Sequence, residues 1–237
     1  MLINLRNALM AGKKWKNPYV TDGLVAMWDG EWNAGGGVHN PDATVWTDCM
    51  GNGFDLSAAS GMGFVTWGAN YAQTAANTGL VATGDYVFQD RNITAEVVTD
   101  WTIAGNNIGI IAINRGGNYF NQTVGYRCAG GWLFCSYGGG QQNLSITGTL
   151  AVSFVSAEND GSVTITAYRA GTALTTKTVT PSSTITGSKV ELFGTSASAW
   201  GGGVVAKVRA IRLYSRALTA SEIAANYAID KARFGLP

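Results

Sequence analysis

From residue 22 onward, apolar and polar positions alternate in short runs broken by glycine, asparagine and aspartate. Val163, Ile165 and Ala167 interleave with Thr164, Thr166 and Tyr168, the period-two pattern of a strand with one face turned inward. Similar runs predict strands over Leu24–Trp28, Gly63–Trp67, Tyr86–Phe88, Thr94–Trp101, Ile108–Ile113, Thr123–Cys128 and Trp132–Tyr137. Thr149–Val155, Val163–Arg169, Thr175–Thr180, Lys189–Phe193 and Val204–Tyr214 complete the series. Strands at this spacing with no helices between them predict an all-β fold. It is a two-sheet antiparallel β-sandwich of the jelly-roll kind rather than a parallel α/β sheet.

The pattern changes at both ends. Leu2, Leu5 and Leu9 have helical spacing and Gly12 is a natural stop, which predicts a short N-terminal helical arm. So short a helix is unstable alone and must dock on its own domain or on a neighbour. Lys13, Lys14 and Lys16 follow it, and with the three leucines they form the expected assembly contact. Residues 1–21 are read as an anchoring arm and residues 22–237 as one domain. Near the C-terminus Thr219 and Glu222 have capping-box spacing, and Leu218 and Ile223 stand where a hydrophobic staple needs them. A short helix follows, with Ile223 and Tyr227 on one face and Gly235-Leu236-Pro237 as its stop.

Composition narrows the function. The chain has 237 residues with 16 basic and 15 acidic side chains, so no general affinity for nucleic acid is expected. One histidine excludes HExxH zinc sites and any mechanism that needs two imidazoles. There is no GxSxG elbow, phosphate-binding loop, or apolar run long enough for a membrane helix. The first residues place their lysines after the apolar stretch, opposite to a secretory signal, so synthesis in a cytoplasm without Sec export is expected. Cys49, Cys128 and Cys135 have no metal-type spacing. A hairpin turning at Gly130-Gly131 would pair Cys128 with Leu133 and Cys135 with Tyr126, leaving the sulfurs diagonal, and reduced cysteines are expected.

Three segments carry a resemblance. They are GLVAMWDGEW, then WTDCMGNGFDL, and finally VRAIRLYSRALTASEIAANYAIDKARFGLP. Together they resemble the laminin-G-like jelly rolls of the concanavalin A-like lectin/glucanase superfamily, over roughly residues 22–237. The versions most similar are those of phages, prophages and gut bacteria. The resemblance implies a virion, or alternatively a bacterial cell surface, as the place of action. It also implies other virion or surface subunits, and cell-surface or mucus glycans, as partners. One fold hosts lectins, adhesion modules, glucanases and inert structural parts, so function must be read from the site.

Three chemistries are open. The superfamily's glucanases carry Glu-x-Asp-x-x-Glu on a strand, and the closest approach here is Asp29-Gly30-Glu31, so no catalytic residues are assigned. Asp29, Glu31 and Asn33 place oxygens two residues apart, a spacing that suits calcium. Sugar sites need an aromatic platform beside amides or carboxylates, and Trp32, Trp67, Tyr71, Tyr119, Tyr137 and Trp200 stand in such loop-like contexts. The expected function is a non-catalytic, carbohydrate-binding adhesion module, homo-oligomeric and attached through its arm. A ligand-free decoration or fibre subunit is the alternative, and a glucan hydrolase the second.

Overall fold

A computed structural model describes residues 16–87, 91–102, 108–114, 123–129, 132–137, 140–145, 150–180, 189–193 and 205–237. Its elements begin with β1 (Leu24–Asp29), β2 (Leu56–Ala58), β3 (Thr66–Trp67), β4 (Ala72–Gln73) and β5 (Leu80–Asp85). There follow β6 (Ile93–Thr102), β7 (Ile108–Asn114), β8 (Thr123–Ala129), β9 (Trp132–Tyr137) and β10 (Gly140–Ser145). The last are β11 (Leu150–Asn159), β12 (Ser162–Arg169), β13 (Thr172–Val179), β14 (Lys189–Leu192), β15 (Val205–Tyr214) and the helix α1 (Ala220–Phe234).

One sheet runs β13-β12-β11-β6-β15-β4-β3, with β1 also paired to β15, and the other runs β10-β9-β8-β7-β14-β5-β2. All pairings between these strands are antiparallel. Trp28, Phe154, Ile165, Ile211 and Leu213 of the first sheet share one buried cluster with Leu56, Leu80, Ile111, Val190 and Leu192 of the second. Burying these side chains between two sheets is the main stabilising contribution. The β-sandwich expected from the alternation is the fold that forms.

On β15, Ala206, Val208, Ile211 and Leu213 turn to this core. The alternation slips between Val208 and Ala210, where a bulge puts Arg209 out of register with β6. The opposite face of β15 therefore carries Lys207, Arg209, Arg212 and Tyr214. Helix α1 lies on that outer face. Ile223 packs in a cluster with Leu24, Met27, Val155, Tyr168 and Tyr214, while Phe234 and Leu236 pack with Val98 and Ala210. Its capping box forms between Thr219 and Glu222, and Gly235 closes it at φ 65° with its N–H donated to Lys231.

Several strand predictions change. Tyr86 and Val87 of the expected strand over Tyr86–Phe88 follow β5, which ends at Asp85, while Phe88 lies outside the described residues, and Gly63–Trp67 shrinks to the two residues of β3. Strands β2, β4 and β10 were not foreseen, because two or three residues show no period and Gly140–Ser145 is polar. The β8–β9 register pairs Cys128 with Leu133 and Tyr126 with Cys135, as the hairpin reading requires. The expected N-terminal helix, with Leu2, Leu5, Leu9, Lys13 and Lys14, lies outside the described residues, and Lys16 is exposed. Among the described residues no helix is long and apolar enough to cross a membrane.

Candidate binding surface

The expected calcium ligands are built into a different structure. Asp29 ends β1, fully buried, and its Oδ1 accepts the backbone N–H groups of Glu31 (2.9 Å) and Trp32 (3.2 Å). Arg233 of α1 then pairs with Asp29 Oδ2 at 2.8 Å and Glu31 Oε2 at 2.9 Å. Its guanidinium stacks on Trp32, 3.6 Å from a ring centroid. Asn33 faces the loop, donating to the Asn40 carbonyl (2.8 Å) and accepting from the Asn40 N–H (2.7 Å). These three residues do not fit calcium, because an arginine already neutralises the two carboxylates and the amide is committed elsewhere. Among the described residues no group of three or more His, Cys, Asp or Glu side chains could hold a metal.

The same arginine belongs to a larger buried network. Tyr19 accepts from Arg233 (2.6 Å) and donates to Asp230 Oδ1 (2.7 Å). Arg212 donates to Glu96 through Nε (2.7 Å) and to Asp230 through Nη1 (2.9 Å). Asn226 donates to Glu96 and to the Tyr214 hydroxyl, and accepts the Val20 N–H. Burial pushes the Glu96 and Asp29 carboxyls and the Tyr19 phenol above their usual ranges. Burial opposes the charge of Arg212, yet Asp230 and Glu96 hold its pKa well above the ordinary value. These groups fasten α1 and residues 17–20 to the sheet, each already held by named partners.

The expected sugar-binding aromatics separate. Trp67 turns inward, edge-on to Trp46 at 5.4 Å and Phe64 at 6.0 Å, with its Nε1 donating to the Ala43 carbonyl. Trp32 is half-buried under Arg233. Tyr119 and Trp200 lie outside the described residues, and Tyr137 is the last residue of β9, opposite Val124. Tyr71, just before β4, turns to the outer face that carries Lys207 and Arg209.

Tyr71 sits in a patch of its own. Its ring lies over Gly68, where a Cβ would come within 2.2 Å of Tyr71 Cζ, so only glycine lets the ring settle there. Gly30 makes the second close approach, since a Cβ there would lie 2.5 Å from Tyr71 Cα. Lys207 Nζ stands 5.0 Å from the Tyr71 ring centroid. Beside it Arg209 donates to Asn70 Oδ1 (2.9 Å) and to Asp100 Oδ2 (3.0 Å), and borders Phe234 of α1. Asp100 Oδ1 and Arg209 Nε are buried with no hydrogen-bond partner. Leaving such an atom unmatched costs about 1–3 kcal/mol. An acceptor and a donor left unmatched within one ion pair are complementary to a hydroxyl, which both donates and accepts. The two side chains keep 28% of Asp100 and 17% of Arg209 exposed through their other atoms.

Sequence reasoning found Tyr71 beside Asn70 but missed Asp100, Lys207 and Arg209. The signal available was the spacing of Lys207, Arg209 and Arg212, cations rising on one face of a strand whose other face is apolar.

No protein-family model matches the chain, and no curated protein matches it either. Solved structures do. Trypanosoma rangeli sialidase in complex with sialic acid is similar at 13% identity and TM-score 0.63, over 97% of this chain and 37% of the sialidase chain. The botulinum neurotoxin type G receptor binding domain is similar at 10% identity and TM-score 0.58, over 89% of this chain and 52% of that one. The likeness is one of fold. The chain spans about a third of the sialidase and about half of the toxin domain.

Proposed function

We propose that this protein is a non-catalytic recognition module that binds carbohydrate through the Tyr71 patch, displayed on a virion or cell surface and attached through residues 1–21. The observation that carries the reading is the unmatched Asp100 Oδ1 and Arg209 Nε beside an aromatic ring seated on glycine. A ring for the apolar face of a sugar and polar groups with unmatched hydrogen-bonding capacity beside it are what saccharide binding needs. Two neighbours in fold support it, one described in complex with sialic acid and one as a receptor-binding domain. Support for a non-catalytic role comes from Asp29 and Glu31. The acids nearest to a hydrolytic motif are both held by Arg233.

A glycan array on the full chain tests the reading. Tyr71→Ala is expected to weaken binding about tenfold, through loss of the stacking face. Asp100→Asn, which keeps the shape and removes an acceptor, is expected to weaken it as well. Wild-type binding to no glycan, or variants that keep the native circular dichroism and bind as well as the parent, would overturn the proposal. The second reading, a ligand-free subunit, is favoured by β13, an eight-residue strand at the edge of its sheet that is exposed along most of its length. Self-association without glycan binding would favour it.

A further inference from the structure

Resting on that reading of the Tyr71 patch, we infer that the saccharide it takes is acidic, and that Lys207 is the residue that reads the negative group. Lys207 is exposed on β15 and stands directly opposite Asp100 of β6 and Gln73 of β4. Asp100 is nevertheless paired with Arg209, and Lys207 leans over Tyr71 instead. Among the described residues its ammonium has no carboxylate partner. Lys207 and Arg209 face one acid, Asp100, so the patch keeps one positive charge. The adjoining Arg233 adds none, because Asp29 and Glu31 hold it.

The position of that charge selects among ligands. A neutral sugar stacking on Tyr71 must either displace the ammonium from the ring or cover it without a counter-ion. Both are unfavourable, the first by losing the cation–π contact and the second by desolvating a lone charge. A sugar bearing one negative group removes the conflict, since the ammonium that yields the ring gains an ionic partner in its place. A carboxylate and a sulfate share this chemistry. In a chain where only 13% of residues are charged, an unpaired cation above an aromatic ring is a selective feature rather than background.

Matched pairs of ligands test the inference on the full chain. Sialyllactose is compared with lactose, oligogalacturonate with its methyl ester, and sulfated lactose with lactose, by calorimetry. In at least one pair the acidic member is expected to bind about tenfold more tightly, the effect of one charge-assisted contact. The first two pairs report a carboxylate and the third a sulfate. The preference should shrink when salt rises from about 50 to about 500 mM. Lys207→Gln is expected to bring the acidic-to-neutral affinity ratio close to one, and Lys207→Arg to preserve it. Because Lys207 is exposed, both variants should keep the wild-type melting temperature. Equal affinities within every pair, or a ratio unmoved by Lys207→Gln, would overturn the acidic preference while leaving carbohydrate recognition standing. Failure of every ligand and of the glycan array would overturn both.

Discussion

Arg212 has 1% of its side chain exposed and lies between Glu96 and Asp230. Replacing a buried cation leaves its counter-ions without a partner in a medium that penalises bare charge. Arg212→Met is therefore expected to cost about 3–5 kcal/mol of unfolding free energy, measured by denaturant titration. A loss under about 1 kcal/mol would mean that these carboxylates have another source of compensation. The sequence displays Arg212 as one more base in a basic tail. Its partner Glu96 lies 116 positions earlier, and no local pattern announces a contact of that range. The same holds for Asp29 and Glu31, whose spacing suggested a metal until Arg233 arrived from 202–204 positions away. Tyr71 was legible because glycine and asparagine crowd around it locally, whereas Asp100 and Arg209 meet it only through strand pairing.

At the scale of the element, α1 shows what short-range signals can specify. Its cap, staple and stop each lie within a few residues of one another, and all three were readable and form. Glu222 adds a pH dependence. The Arg216 guanidinium, followed by the Thr219 backbone, lowers its carboxyl from 4.5 to about 2. A carboxyl depressed on folding stabilises the native state above its unfolded value and loses that contribution as pH falls toward the folded one. The advantage of the wild type over Glu222→Gln should be complete near neutral pH and should narrow from pH 4.5 down to about 2. Urea titrations of the two proteins across that range check it, and a constant gap would refute it. Asp29 and Glu96, raised by burial, act in the opposite sense, favouring the folded state as they take up protons. Comparing the variant with its parent cancels them. Strands β2 and β4 carry no such local signal, since only their neighbours across the sheet define them.

On the scale of the whole molecule, the outer face of the β1–β15–β6–β11 region is not a surface but a second core. Leu24, Met27, Tyr214, Val98 and Ala210 are buried there beneath α1 and the residues beside it. Removing residues 220–237 would expose these side chains and strand Arg212 and Glu96 without Asp230 and Asn226. The truncated chain is expected to be insoluble, or to bind a hydrophobic dye and lose cooperative unfolding, and a sharp thermal transition would contradict this. Alternation along the strands made the two-layer arrangement legible. Which face the helix covers was not, because that depends on how β15 meets β6.

Tyr19 and Val20 bond to Asp230 and Asn226, so the beginning and the end of the described sandwich are knotted together at one helix. The face that carries the Tyr71 patch is therefore also the one where the two described ends meet, so a partner seated on Tyr71 would border the seam that closes the fold, with the sheet containing β7 and β14 behind it.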